Sequence, residues 1–262
     1  MIPAAGCREF HYSNIKLVDG DTKMQKLNRD VEITYLGHST FKIKSPKGKI
    51  ILIDPWVQGN PVCPEALKKI DRLDIMAITH GHFDHMSDAV AIAKEHKPTV
   101  VAIFEIGHWL GSKGVEKTSG MNKGGTQTVD GIRFTMTHAQ HSSGIVDEDG
   151  NLIYAGEPAG YVIEFENGFK IYHAGDTCIF SDMKLIAEIY KPELVMLPIG
   201  DWFTMSPVEA SYACRFLSPR YVIPIHYATF PILTGTPAEL RELTKDIKGM
   251  EVIELKPGET LT

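Results

Sequence analysis

LDIMAITHGHFDHMSD, residues 73–88, is the stretch that decides how the rest of the chain is read. Its apolar run Ile75–Ile78 predicts a buried strand, which breaks at Thr79 into His80-Gly-His82-Phe-Asp84-His85. Ser87 and Asp88 offer caps for a helix over AVAIAKEH. Three imidazoles and one carboxylate therefore share a tight connection between a strand and a helix. These are ligand types for zinc and similar divalent cations. His80 and His82 are two residues apart, so in extended backbone they face the same way and can hold one ion. Asp84 and His85 follow at the turn into the helix, placed to face a second. The competing reading is a solvated loop with incidental histidines; the ordered spacing H-x-H-x-D-H argues against it.

The whole chain bounds what such a loop can serve. It has 262 residues, 43% of them hydrophobic, enough for one large domain or two small ones. Its 27 basic and 33 acidic residues leave a net charge of −6 with no basic stripe, so nucleic acid is not an expected partner. No apolar stretch is long enough to span a bilayer. The opening MIPAAGCREFHYSN lacks the charged start and long apolar region of a signal peptide. Cys7, Cys63, Cys178 and Cys214 are scattered without a C-x-x-C pair, which suits a reducing compartment. The expectation is a cytoplasmic protein acting on a small molecule, with no membrane partner. Residues 1–29 read as an N-terminal arm, packing on a neighbouring subunit of a homo-oligomer or lying near the site. Residues 30–262 read as the domain.

From Val31 the pattern is β. VEITYLGHSTFKIKS gives two strands around a Gly-His break, and KIILID a third that ends in Asp54. Asp54 either caps a turn or orients a metal-binding histidine from behind. PEALKKI reads as a short helix, TVVAIFEI as a strand. GIRFTMTHAQHSSG is a strand that delivers His138 and His141; His141, at the far end, is favoured as a ligand. Residues 144–160 are either a loop overhanging the site or an ordinary hairpin tip. GYVIEFENGFKIYHAGDT is a hairpin turning at Asn167-Gly168 and ending in Asp176, with His173 buried inside it. SDMKLIAEIY reads as a helix and PELVMLPIG as a strand. Ser206-Pro207 starts a further helix. RYVIPIHY is a strand that places His226 at its end. TPAELRELTKDI and MEVIELKPGETL close the chain as a helix and a strand.

TFKIKSPKGKIILID and GYVIEFENGFKIYHAGD echo each other: each is a hairpin with a central Gly running into a terminal Asp. Two similar β-α halves predict two sheets face to face with helices outside, an α/β four-layer αββα sandwich of two pseudo-symmetric halves. The ligand candidates then fall at strand ends: His80, His82, Asp84, His85, His141, Asp176 and His226. Five histidines and two carboxylates exceed what one structural zinc site needs and suit two ions.

The set resembles the metallo-β-lactamase-fold superfamily, whose signature is similar to T-H-G-H-F-D-H at 79–85. The resemblance covers the chain from about Val31 onward. It implies one ion held by His80, His82 and His141, a second held by Asp84, His85 and His226, and Asp176 bridging them. Leu36-Gly-His38-Ser-Thr-Phe41, His141-Ser-Ser-Gly144, Ala174-Gly-Asp-Thr177, and Gly200-Asp201 through Thr204-Met205-Ser206-Pro207 look most like the hydrolases related to ascorbate-6-phosphate lactonase. Cys178 departs from that pattern, where a glycine is expected. Asp176 at the bridging position argues against a dedicated β-lactamase.

The resemblance implies a metal-dependent hydrolase with two divalent cations, zinc first, manganese or iron as alternatives. Cations about 3.5–4 Å apart would share a hydroxide that opens a small ester such as a lactone or sugar-phosphate lactone. Asp84 is the catalytic candidate for moving the proton. His38 either contacts substrate or oxyanion, or is a core histidine with a satisfied hydrogen bond; Asp201 has similar standing. The alternatives are a phosphodiesterase, a hydrolase of another small electrophile such as an isothiocyanate, a mononuclear iron oxygenase, and a metal-holding module without turnover. Ser142 and Ser143 lack the G-x-S-x-G setting of a serine nucleophile.

Overall fold

Short apolar runs build two mixed seven-stranded sheets in the computed structural model, which describes Leu27 and residues 29–262. The arm expected over residues 1–29 therefore lies, but for Leu27 and Arg29, outside the described residues. The first sheet holds β1 (Glu32–Gly37), β2 (Thr40–Lys44), β3 (Ile50–Ile53), β4 (Ile75–Ala77), β5 (Thr99–Ile103) and β6 (Thr118–Met121). The chain then crosses to β7 (Thr126–Val129) and β8 (Ile132–His138), and makes a separate hairpin, β9 (Gly144–Val146) and β10 (Leu152–Tyr154). It completes the second sheet with β11 (Ala159–Glu164), β12 (Lys170–His173), β13 (Leu194–Pro198), β14 (Tyr221–Ile225) and β15 (Glu251–Val252). A last strand, β16 (Thr260–Leu261), returns to pair with β1.

The two halves repeat one plan. β2–β3 is an antiparallel hairpin followed by parallel β4, β5 and β6. β11–β12 is an antiparallel hairpin followed by parallel β13, β14 and β15. This is the repeat heard in the sequence, and it puts Asp54 and Asp176 at matching places, just past β3 and β12.

Alternation sorts the second sheet's side chains into two layers. Tyr161, Ile163, Ile171, Leu194, Met196, Ile223 and Ile225 face the core shared with the first sheet. Val162, Tyr172, Val195, Leu197 and Val222 face the opposite way, beneath helices. Both faces are buried, which is why these strands read as nearly continuous apolar runs. Among the described residues six α-helices complete the layers: α1 (Phe83–Met86), α2 (Ala89–His96), α3 (Phe104–Ser112), α4 (Met183–Tyr190), α5 (Pro207–Leu217) and α6 (Pro237–Thr244). Ile92 and Ala93 of α2 with Ile106 and Leu110 of α3 join the core with the first sheet's residues, while Met183, Ala210 and Leu240 of α4, α5 and α6 pack on the second sheet. At the start of α5, Ser206 Oγ accepts the Glu209 N–H and the Glu209 carboxylate accepts the Ser206 N–H, a reciprocal cap.

Four local expectations are corrected. Phe104-Glu-Ile is helical, because pairing with β6 ends at Ile103 and Met121. PEALKKI forms only one 3-10 turn, Glu65–Leu67. Asp88 stands at the N-cap of α2 without capping it; its carboxylate instead accepts the N–H groups of Val57 and Gln58 at 2.6 and 2.8 Å. The closing strand is two strands in different sheets, β15 and β16, divided by the turn at Gly258, whose φ is +96°. Among the described residues, no helix is long and apolar enough to cross a membrane.

Candidate metal centre

Every candidate ligand lies just past the C-terminal end of a strand, and the two sheets bring those ends together. His80, His82, Asp84 and His85 follow β4, with the last two in the single turn of α1. His141 follows β8, Asp176 follows β12, and His226 comes directly after β14. Glycine makes two of these approaches possible. Gly175 has φ +64°, and a Cβ there would sit 2.6 Å from the Ala159 carbonyl oxygen. A Cβ on Gly200 would sit 2.0 Å from the carbonyl oxygen of His226. Only glycine lets the chain pass at either point.

The seven candidates form two groups around one carboxylate. His80 Nε2 and His141 Nε2 lie 3.0 and 3.3 Å from His82 Nδ1. A tetrahedral zinc with Zn–N bonds of about 2.05 Å has a ligand–ligand edge of roughly 3.3 Å, so this trio has the size of one face of such a site. On the other side, Asp84 Oδ2 lies 4.0 Å from His85 Nε2 and 3.7 Å from His226 Nε2. Asp176 Oδ2 stands between the groups, 3.0 Å from His226 Nε2, 3.3 Å from His85 Nε2, 3.7 Å from His141 Nε2 and 3.9 Å from His80 Nε2.

The polar bookkeeping of this cluster fits cations. His85 Nε2, His226 Nε2 and Asp176 Oδ1 are buried without a hydrogen-bond partner. Leaving such atoms unsatisfied is costly, and a cation at their meeting point satisfies them together. The imidazoles are also turned the right way. Asp54 Oδ2 lies 2.8 Å from His85 Nδ1 and accepts the Thr79 hydroxyl proton at 2.8 Å. With its proton committed to Asp54, Thr79 Oγ1 accepts from His80 Nδ1 at 3.0 Å. His80 thus carries its proton on Nδ1 and presents the Nε2 lone pair inward, and Asp54 likewise keeps a proton on His85 Nδ1, which leaves Nε2 as the nitrogen that faces the cluster. Ser142 Oγ, 3.3 Å from His82 Nε2, leaves the Nδ1 of that ring to face the cluster. Ser143 Oγ accepts the Gly81 N–H and donates to the Ala155 carbonyl, tying the loop to the β9–β10 hairpin.

Burial and charge pull the histidines apart. Burial pushes His80 well below its ordinary range, and lowers His82 and His141 as well, so all three are neutral donors near pH 7. Burial also opposes charge on His226, but Asp176 and Asp84 outweigh it and raise that group to about 9. For Asp176, burial favours the neutral acid, and the adjacent His226 and His85 override it and hold the carboxyl well below the usual carboxylate range. A cation bound at His226 would take the place of the proton that Asp176 and Asp84 favour there.

His38 lies behind the cluster. It is fully buried, has φ +60°, and places Nε2 2.9 Å from Asp84 Oδ2 and Nδ1 3.0 Å from Thr229 Oγ1. Burial lowers His38 to about 4, so the neutral ring donates from Nε2 to Asp84 and accepts at Nδ1 from Thr229. Asp201 is exposed and its carboxylate accepts the Trp202 N–H. His138 approaches Lys123 Nζ at 3.2 Å and stands edge-on to Phe180. Inside β12, His173 donates from Nε2 to the Ser39 carbonyl and accepts the Gly175 N–H at Nδ1. The Cys178 thiol turns to Gln140 Oε1 at 3.1 Å. Sequence reasoning did not single out Thr79 or Thr229. Thr79 adjoins the histidine loop, a signal that was available; Thr229 carries none.

A cavity of about 1140 Å³ opens over the cluster, with His82, Asp84, His141, Asp176 and His226 in its lining. Residues 144–154, left open between overhanging loop and hairpin tip, are a hairpin that contributes Ile145, Val146 and Leu152 to that lining.

Fold and site together define a metal-dependent hydrolase of the metallo-β-lactamase superfamily. The family model for the β-lactamase superfamily domain matches residues 49–227. A UPF0173 metal-dependent hydrolase of Koribacter versatilis is 55% identical over 230 residues, covering 88% of this chain and 97% of that protein. Its counterpart in Solibacter usitatus is 56% identical over 228 residues, covering 87% and 98%. Among solved structures, Igni18, a metallo hydrolase of the archaeon Ignicoccus hospitalis, superposes with a TM-score of 0.77 at 36% identity, covering 88% of this chain and 97% of Igni18. The chain belongs to the UPF0173 metal-dependent hydrolases of that superfamily.

Proposed function

We propose that this hydrolase holds two divalent cations, zinc before manganese or iron, and opens a small ester such as a lactone. One observation carries the reading: Asp176 Oδ2 lies 3.0–3.9 Å from the Nε2 atoms of four histidines drawn from both ligand groups. A carboxylate so placed suits a bridge between two ions. Histidine-rich donors suit zinc. His80, His82 and His141 would hold one ion and Asp84, His85 and His226 the other. When bound, such a pair lowers the pKa of a water toward neutrality and polarises the substrate carbonyl. The chain's own residues do the rest. Asp84, on the cavity lining, accepts the water's proton and returns it to the leaving oxygen. His38 holds Asp84 from behind as a positioning residue.

A phosphate-bearing substrate is disfavoured by the lining, where Lys113 stands with Asp147 and Glu148. The test is metal content by plasma mass spectrometry on protein purified without added metal, beside His82→Ala and Asp176→Ala, followed by a screen of lactones, esters and phosphodiesters. Two ions per chain, fewer in both variants, with turnover of a lactone or ester, is the expected result. A single iron would point to an oxygenase, and no metal after reconstitution would overturn the reading.

A further inference from the structure

A small lactone at the cluster leaves most of the cavity unused. At about 1140 Å³ the space exceeds the roughly 300–1,000 Å³ of an ordinary small-molecule site. Away from the cluster its lining carries, besides Lys113, Asp147 and Glu148, a set of large apolar side chains: Trp109 from α3, Val146 and Leu152 from the β9–β10 hairpin, and Phe203, Phe230 and Ile232 from the loops past β13 and β14. Val146, Leu152 and Phe203 are 67%, 76% and 56% exposed, so large apolar side chains stand in water at the mouth of the site. Contiguous exposed apolar surface of this kind marks a place where something apolar binds.

We propose that the substrate is an amphiphile, with its hydrolysable group at the histidine–aspartate cluster and an uncharged alkyl or aryl tail against Trp109, Leu152, Phe203 and Phe230. The reaction adds water across the acyl C–O bond, giving a carboxylic acid and an alcohol, or one hydroxy acid from a lactone. The head group rests on the hydrolase reading; the tail rests on the cavity. Continuity argues for a substrate tail, because the cluster and the apolar side chains line the same space. Charge argues against two other occupants. Asp147 and Glu148 adjoin Val146 in the lining, and the chain carries a net charge of −6. That acid pair repels an anionic bilayer, and across a two-fold axis it would face its own copy.

The test is a titration of the metal-loaded full chain with straight-chain alkyl carboxylates of four, six, eight and ten carbons, followed by tryptophan fluorescence. Burial of a CH₂ group is worth about 0.8 kcal/mol, so affinity should rise roughly fourfold per carbon until the cavity is filled. In Leu152→Glu and Phe203→Glu, exposed positions where folding is not at stake, the ratio of ten-carbon to four-carbon affinity should fall at least tenfold. An affinity that ignores chain length overturns the proposal. So does a chain-length slope that survives both substitutions, including the case where Leu152→Glu dissolves a dimer and leaves the slope intact. Binding is read without turnover, so the two readings fail separately. A steep series with no ester or lactone hydrolysed removes the ester reading alone; a flat series with rapid turnover of short esters removes the tail alone.

Discussion

Asp54 Oδ2 lies 2.8 Å from His85 Nδ1, and the same oxygen accepts the Thr79 hydroxyl that in turn accepts from His80. One carboxylate therefore fixes the tautomer of a histidine in each ligand group. Asp176, which holds the matching place in the other half of the fold, approaches the opposite nitrogen of the same His85 ring at 3.3 Å. The repeat thus supplies one aspartate behind the histidine and one in front of it.

Asp54→Asn keeps the size and loses the charge. Removal of such an outer partner weakens metal binding by roughly 10–100-fold. The expected outcome is a loss of that order for each ion of the proposed pair, measured by competition with a chromophoric chelator. Weakening confined to one ion would separate the His80 and His85 arms of the network. Unchanged affinities would reduce Asp54 to a turn residue.

His38 acts on Asp84 through a 2.9 Å hydrogen bond. Its φ of +60° is one that asparagine tolerates, so His38→Asn leaves the backbone intact while withdrawing the donor. Against the burial that raises it, the His38 bond is one of the contacts that lower Asp84. Its loss should therefore loosen the hold on Asp84 and slow turnover by about 10–100-fold, within the range of proton-transfer effects. A kcat equal to the parent's would make His38 a packing residue only.

How much of this was legible follows from chain separation. The candidates His80, His141, Asp176 and His226 each follow a strand-like run within a few residues, so they could be placed near strand ends from local pattern alone, and the hairpin echo indicated that the strand ends would meet. Two functions of the sequence were hidden. Phe104-Glu-Ile is apolar enough for a strand, and only the end of pairing at Ile103 and Met121 makes it a helix. The contact between His38 and Thr229 spans 191 residues, and no local period announces it. Asp88 shows the limit differently: its position before α2 suits a cap, but the N–H groups of Val57 and Gln58 arrive from the tertiary fold and take its carboxylate.

Gly200 passes beneath His226 with no room for a side chain, since a Cβ would lie 2.0 Å from that residue's carbonyl oxygen. Gly200→Ala must displace the loop that presents His226. Overpacking of this kind costs about 1–3 kcal/mol, or roughly 2–12 °C in Tm for a chain of this size. Thermal unfolding in excess chelator reads the backbone cost, and metal titration reads the damage to the site; both should suffer. Gly48→Ala is the control: its φ is +80° but nothing lies within 4 Å of the added carbon, so only backbone strain is expected and metal binding should be unaffected. Equal effects from the two substitutions would refute the packing argument.

His173, inside β12, links stability to pH without being a candidate ligand itself. Burial lowers its pKa from the ordinary 6.5, and the neutral ring is locked in place by donating to the Ser39 carbonyl and accepting from the Gly175 N–H. The unfolded chain takes up a proton near pH 6.5 that the folded ring refuses. Stability owed to His173 is therefore complete above about pH 6.5 and declines as pH falls below it, by up to about 1.4 kcal/mol per pH unit, until the folded pKa is reached. His173→Gln has no such titration. Denaturant unfolding of both proteins in excess chelator from pH 8 to pH 5 should show a constant difference above pH 6.5. Below that the parent's advantage should shrink steadily. A difference that stays level to pH 5 would mean that the folded ring takes up its proton as readily as the unfolded one, and that the bonds to Ser39 and Gly175 do not hold it neutral.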